Sequence, residues 1–370
     1  MGAIQNWIQK RKEAEEIKKH QVEFAHEKRD ELMNMVDSIQ QPVNEAKKSN
    51  TTLKTIYTNE KEIKGFVQDV LKKMISTTKP SPEVEKWNQN ILKSFDEFDL
   101  PIYSDERKKT TGAVSAKFDE KGEFVGIEKF ATLGKGESKD SIETTMQTVR
   151  GIFHECAHST SLKHDPEFLR AGGMEATKEI GEIEAKSIER MFGLFMQKHI
   201  TELEHDEKGK ILGLTDDEML GEIEVLQTRD LLEFDHIAKE IADDKKVKGD
   251  KEYSFRYIVG AVGADAYAEM YDKYPDIALN VMATYLKLDA KMNTDQAMYL
   301  MSGGKLKTFG EARDRFCERK NCPAKVERID KSELEQCQIE EKIATVEENI
   351  KMSLHSKGAG KIPPEDERSL

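Results

Sequence analysis

The sequence predicts a mainly α-helical protein in which a small β hairpin or sheet lies beside a helix carrying two histidines. Three observations support this fold class. Long stretches place apolar residues at helical spacing among Lys and Glu. The most persuasive hairpin is at Ala113–Phe118 and Phe124–Phe130, two β-like runs around the turn signal "DEKGE". Directly after it, "DSIETTMQTVRGIFHECAHSTSL" carries an apolar stripe at Ile142, Met146, Val149, Phe153 and Cys156.

Taken in order, residues 4–75 read as long amphipathic helices, with Ile17, Phe24, Met35 and Ile39 on the inward stripe and Pro42 as punctuation. A break follows near Pro80 and Pro82, and a further helix leads to "FDLPIYSDE". The hairpin comes next. Asp140 and Glu143 have capping-box spacing and predict the start of the histidine-bearing helix. From Pro166 to about residue 300 the texture is almost wholly helical, and the tail "KGAGKIPPEDERSL" reads as disordered.

Bulk properties narrow the function. A chain of 370 residues with 37% hydrophobic and 35% charged side chains has enough apolar material for a packed interior under a heavily solvated surface. A net charge of −13 argues against a general nucleic-acid binder, because phosphate neutralisation needs clustered Lys and Arg. No apolar run approaches a membrane span, and the N-terminus has no apolar signal core, so a cytoplasmic protein is expected. The four cysteines, Cys156, Cys317, Cys322 and Cys337, lack paired zinc-ribbon spacing and read as reduced structural thiols.

The chemistry concentrates in "RGIFHECAHSTSLKHD". His154 and His158 are four apart, so on a helix both imidazoles leave one face a turn apart and can reach one Zn²⁺. Glu155, adjacent but rotated, is placed as general base for a water on that metal. With nine His and 71 acidic residues, this pattern is expected by chance far less than once in the chain. The third ligand has more than one candidate. His164 fits the long metzincin zinc signature except that Ser161 stands where that signature has the glycine of a sharp turn. The competing donor is a glutamate on the next helix, in "MEATKEIGEIEAKSIERMF": Glu182, with Glu179 on the same face as an alternative.

Here the chain resembles the thimet oligopeptidase/oligoendopeptidase F group of zinc peptidases. The resemblance runs over roughly residues 105–320. It rests on the ordered set of the hairpin "TTGAVSAKFDEKGEFVGIEKF", HECAH, Glu182 and Glu189 in "EIEAKSIE", "YSFRYIVG" and "YLMSGGKLKTFGEARDRF". It implies a zincin-type, neurolysin-like helical fold with His154, His158 and Glu182 on Zn²⁺. It also implies Tyr257 hydrogen-bonding the oxyanion and Tyr253 as a second candidate for that role, beside Glu155 as base; Phe255 reads as a helix-packing residue. The expected function is hydrolysis of a peptide or protein substrate. The division is then an N-terminal helical region over 1–104, a catalytic domain over 105–355 and a tail over 356–370. Compared with the family the chain is short in its N-terminal half, and Cys156-Ala157 replaces the usual pair inside the motif. Two alternatives stay open: a metzincin-like protease using His164, and a catalytically inactive helical binding protein on the same fold. Oligomeric state is not legible.

Overall fold

The computed structural model describes residues 2–76, 80–96, 142–162, 179–243, 251–288, 291–321, 338–345, 347–349 and 352, and, within 97–141, the strands alone. The hairpin turn 119–123, Asp140, His164, Glu175, Cys322, Cys337 and the tail from 356 lie outside the described residues.

The described part is mainly helical. Helix α1, Gly2–Ser38, runs into α2, Gln40–Ala46. Pro42 sits in the first turn of α2, where its missing N–H costs nothing, so it opens a helix instead of ending one. In α1, Phe24, Met35 and Ile39 are buried as their spacing predicts. Ile17 is not: it is 63% exposed, because residues 9–20 of α1 extend beyond the helices that cover its second half. The third element is α3, Glu60–Met74, where Asn59 accepts the Glu62 N–H and Ile63, Phe66, Val67, Val70, Leu71 and Met74 turn inward. It is followed by α4, Pro82–Asp96, with Pro82 at its first position and Ser81 Oγ accepting the Val84 N–H at 3.2 Å.

Two small sheets follow. Strands β3, Ala113–Phe118, and β4, Phe124–Phe130, pair antiparallel within the predicted bounds, with a register shift at Lys117/Phe118. A second sheet joins β1 (Ile56–Thr58), β6 (Ile142–Thr144), β5 (Leu133–Lys135) and β2 (Ile102–Tyr103) in that order; β2 and β5 are parallel and the other pairs antiparallel.

That second sheet corrects one expectation. Glu143 does not cap the histidine helix; it lies within β6, paired with Tyr57 on one side and Gly134 on the other. Helix α5 starts only at Met146, with the Val149 N–H bonding to Thr145 O. Ladder hydrogen bonds to two neighbouring strands satisfy this backbone better than one side-chain cap would. From Met146 onward the stripe holds: Met146, Val149, Phe153 and Cys156 have no measurable exposure.

The remaining helices are α6 (Ile183–His199), α7 (Asp216–Ala242), α8 (Lys251–Lys273), α9 (Pro275–Leu288), α10 (Thr294–Met301) and α11 (Phe309–Asn321). Capping boxes start α7 (Thr215 with Glu218) and α10 (Asn293 with Gln296). Ser302-Gly303-Gly304 closes α10, with φ of +63° and +78° at the two glycines.

One continuous apolar core runs from Phe24 to Ile339, so the N-terminal helices and the histidine helix bury against the same interior. Within it, α5 packs on α6, and α6 on α8. Phe192 of α6 stacks on Phe153 of α5 at 4.6 Å and meets Phe66 of α3 edge-on at 6.4 Å. Phe192→Ala empties a fully buried aromatic site joining three helices. It is expected to cost about 3–5 kcal/mol, read as a lower urea midpoint; a loss under about 1 kcal/mol would mean that this junction does not hold the helices.

Candidate metal centre

The histidine-bearing face of α5 points at the start of α6. His154 Nε2 and His158 Nε2 lie 3.0 Å apart, and each is 3.3 Å from Glu182 Oε2. Glu182 is the residue immediately before α6, and it is wholly buried (0% exposed); His154 is 8% exposed. Among the described residues, none donates a well-directed hydrogen bond to either Glu182 oxygen.

This triangle has the dimensions of a metal site. Three donors held tetrahedrally at about 2.0–2.1 Å from Zn²⁺ would stand about 3.3 Å apart. Two imidazole nitrogens facing one another cannot both donate and accept unless one carries a proton. A shared cation would take the place of that proton and satisfy Glu182 Oε2, so the two imidazoles and one carboxylate fit Zn²⁺.

The backbone brings Glu182 this close through a glycine. A Cβ built on Gly260 of α8 would stand 2.6 Å from Glu182 Cβ and 3.1 Å from its carbonyl carbon and oxygen. Only a residue without a Cβ lets α8 cross here.

Charge extends outward from the triangle. His154 Nδ1 lies 2.7 Å from Glu189 Oε1, and Lys186 Nζ lies 3.3 Å from both Glu189 oxygens. Arg150, one turn before His154, stands 3.8 Å from Glu189 and forms a two-pronged pair with Asp230 of α7 at 2.7 and 2.8 Å. On the other side, Arg256 Nη2 of α8 lies 3.0 Å from Glu182 Oε1.

These contacts set the ionisation of the metal-free site. Burial opposes charge on His154, but the close carboxylates of Glu182 and Glu189 outweigh it and raise its pKa to about 10. Burial likewise works against the carboxylates. The two histidines hold Glu182 well below the usual range, and Lys186, Arg150 and His154 do the same for Glu189. Burial, with the nearby Glu182 charge, pushes the Tyr257 phenol up, so it stays protonated at neutral pH.

The sequence candidates separate as follows. His154, His158 and Glu182 converge. Glu155 is partly exposed on the same helix. Glu179 is exposed and accepts from Thr294 Oγ1 at 2.5 Å, away from the triangle. His164 lies outside the described residues, and α5 continues through Ser161 to Leu162. Tyr257 and Tyr253 of α8 pack edge-on at 5.9 Å around Arg256; Tyr257 is half-buried and Tyr253 is 41% exposed. Phe255 is buried against Phe24 and Phe309. Cys156 is fully buried and packs into the core. No described helix is long and apolar enough to cross a membrane.

Sequence reasoning missed Arg150, Lys186, Asp230 and Arg256. Two of them carried a signal. Arg150 is four residues before His154, and Arg256 interrupts the aromatic run "YSFRY", so helical periodicity puts both on the faces that matter.

Two outcomes are expected. Gly260→Ala forces Glu182 out of the triangle and should lower zinc affinity by at least about tenfold, in proportion to a ligand's displacement. Chelator competition measures it, and wild-type affinity would contradict the close approach. The raised His154 pKa stabilises the metal-free fold fully below about pH 6.5, and this is lost as pH rises through about 10. Zinc must displace that proton, so the gap between zinc-loaded and metal-free melting midpoints should widen from about pH 6.5 to about 9. A constant gap would show His154 neutral throughout.

No family model, curated protein or solved structure matches this chain.

Proposed function

We propose that the protein is a zinc-dependent peptidase of the zincin type, similar to the thimet oligopeptidase/oligoendopeptidase F group. The observation that carries this reading is the convergence of His154 Nε2, His158 Nε2 and Glu182 Oε2 within 3.0–3.3 Å, with Glu155 between the two histidines on their helix.

His154, His158 and Glu182 hold the ion. When bound, Zn²⁺ supplies Lewis acidity, polarising the scissile carbonyl and lowering the pKa of water toward ~7. Glu155 takes a proton from the attacking water on a carboxylate oxygen and passes it to the departing amine nitrogen. The Tyr257 phenol, kept protonated by burial and by Glu182, donates a hydrogen bond to the oxyanion as charge develops on the substrate. Glu189 meets His154 at Nδ1, which keeps the proton on that nitrogen and presents the Nε2 lone pair to the metal. The partner is a peptide or protein chain.

Zinc content and peptide-library cleavage test this reading together. About one zinc per chain is expected, lost in Glu182→Ala and kept in His164→Ala. Glu155→Gln should keep zinc while hydrolysis falls by about 10²–10⁴-fold. Loss of zinc with His164 but not with Glu182 would move the protein to a metzincin-like site. A wild type that takes up no zinc and cleaves nothing would leave a helical binding protein.

A further inference from the structure

Arg256 is the one described cation that touches Glu182 other than the two histidines. Its surroundings are specific. The guanidinium carbon lies 3.5 Å from the Tyr253 ring centroid and 5.2 Å from that of Tyr257, so the planar group is stacked on one ring and flanked by the other. A single nitrogen, Nη2, lies 3.0 Å from Glu182 Oε1 and donates to Tyr257 Oη at 3.4 Å.

Tyr253, Arg256, Tyr257 and Gly260 follow one another at three- and four-residue steps along α8, so they share one face of it. That face meets Glu182 in two ways. Gly260 admits its main chain and Cβ, and one turn earlier Arg256 takes one of its two carboxylate oxygens. The other oxygen, Oε2, is the one equidistant from His154 and His158.

We propose that Arg256 is a positioning residue that holds Glu182 as a one-oxygen ligand, a role that rests on the zinc reading above. With Oε1 ion-paired to the guanidinium, Oε2 is the oxygen left for a bound metal. A guanidinium on the far oxygen also draws electron density from the carboxylate, which leaves a bound metal more acidic toward its remaining ligands. The same Nη2 donates to Tyr257 Oη, which ties the guanidinium to both the carboxylate and the phenol. A lysine could not do all of this, because a lone ammonium lacks the flat face that lies over Tyr253 while one end reaches Glu182.

Cobalt substitution reads the arrangement without reference to turnover. The protein is stripped of metal, loaded with Co²⁺ and its visible absorption recorded for wild type, Arg256→Met and Arg256→Lys, with melting curves as a check of folding. Arg256→Met frees Oε1 to join the metal, so the coordination number rises and the visible bands should lose more than half their intensity. Arg256→Lys should move the bands in the same direction but less, and it carries the test if the methionine variant does not fold. Folded variants that both keep the wild-type spectrum would overturn the inference while leaving the zinc reading intact. A wild type that takes up no Co²⁺ would overturn the zinc reading itself, and this inference with it.

Discussion

A carboxylate with no exposure to solvent cannot remain charged unless cations or strong donors surround it, and Glu182 is such a group. Among the described residues its compensation comes from three side chains on two helices: His154 and His158 on α5 and Arg256 on α8. The positions of α5, α6 and α8 relative to one another are therefore fixed by electrostatics as well as by apolar packing. From this pairing a chain of alternating charge runs through the protein: Arg256, Glu182, His154, Glu189, Arg150 and Asp230. Each member is buried or partly buried, and removing one would strand the next.

Such a chain is an expensive way to hold helices together, since well-packed apolar side chains of similar volume are often as stabilising. Its cost makes sense if the arrangement is kept for chemistry. The apolar side of the ledger is met elsewhere, by Phe153, Phe192 and Phe66 at the α5–α6–α3 junction and by the close α6–α8 crossing at Gly260 and Gly263. At Gly263 a Cβ would meet Ile183 and Met298 side chains at 3.0–3.2 Å, so the crossing is tight along a full turn. Rigid packing beneath and ionic pairing above leave the three donor atoms little freedom, which is what preorganisation of a metal site requires.

Much of this was legible in the sequence because its signals are local. The histidine pair needs only helical periodicity, the hairpin only two β-like runs and a turn, and both appear within the residues expected. Glu182 was reachable from its helix and from the resemblance, whereas Glu179, three residues earlier, proves to serve Thr294. Signals failed where distant chain segments decide. Glu143 has the spacing of a cap, yet β1 and β5 recruit it into a strand. Ile17 has the spacing of a core residue, yet nothing described covers that part of α1. Asp230 acts on residues far away in sequence, and among 129 charged side chains no local pattern marks it out.

The central claim is the identity of the three donors, and X-ray absorption at the zinc edge of the zinc-loaded protein addresses it directly. The account predicts a first shell of nitrogen and oxygen alone at about 2.0–2.1 Å, with multiple scattering from two imidazoles. A sulfur scatterer at about 2.3 Å would place a cysteine on the metal, and scattering from three imidazoles would bring in a further histidine. Either result would contradict a centre built from His154, His158 and Glu182.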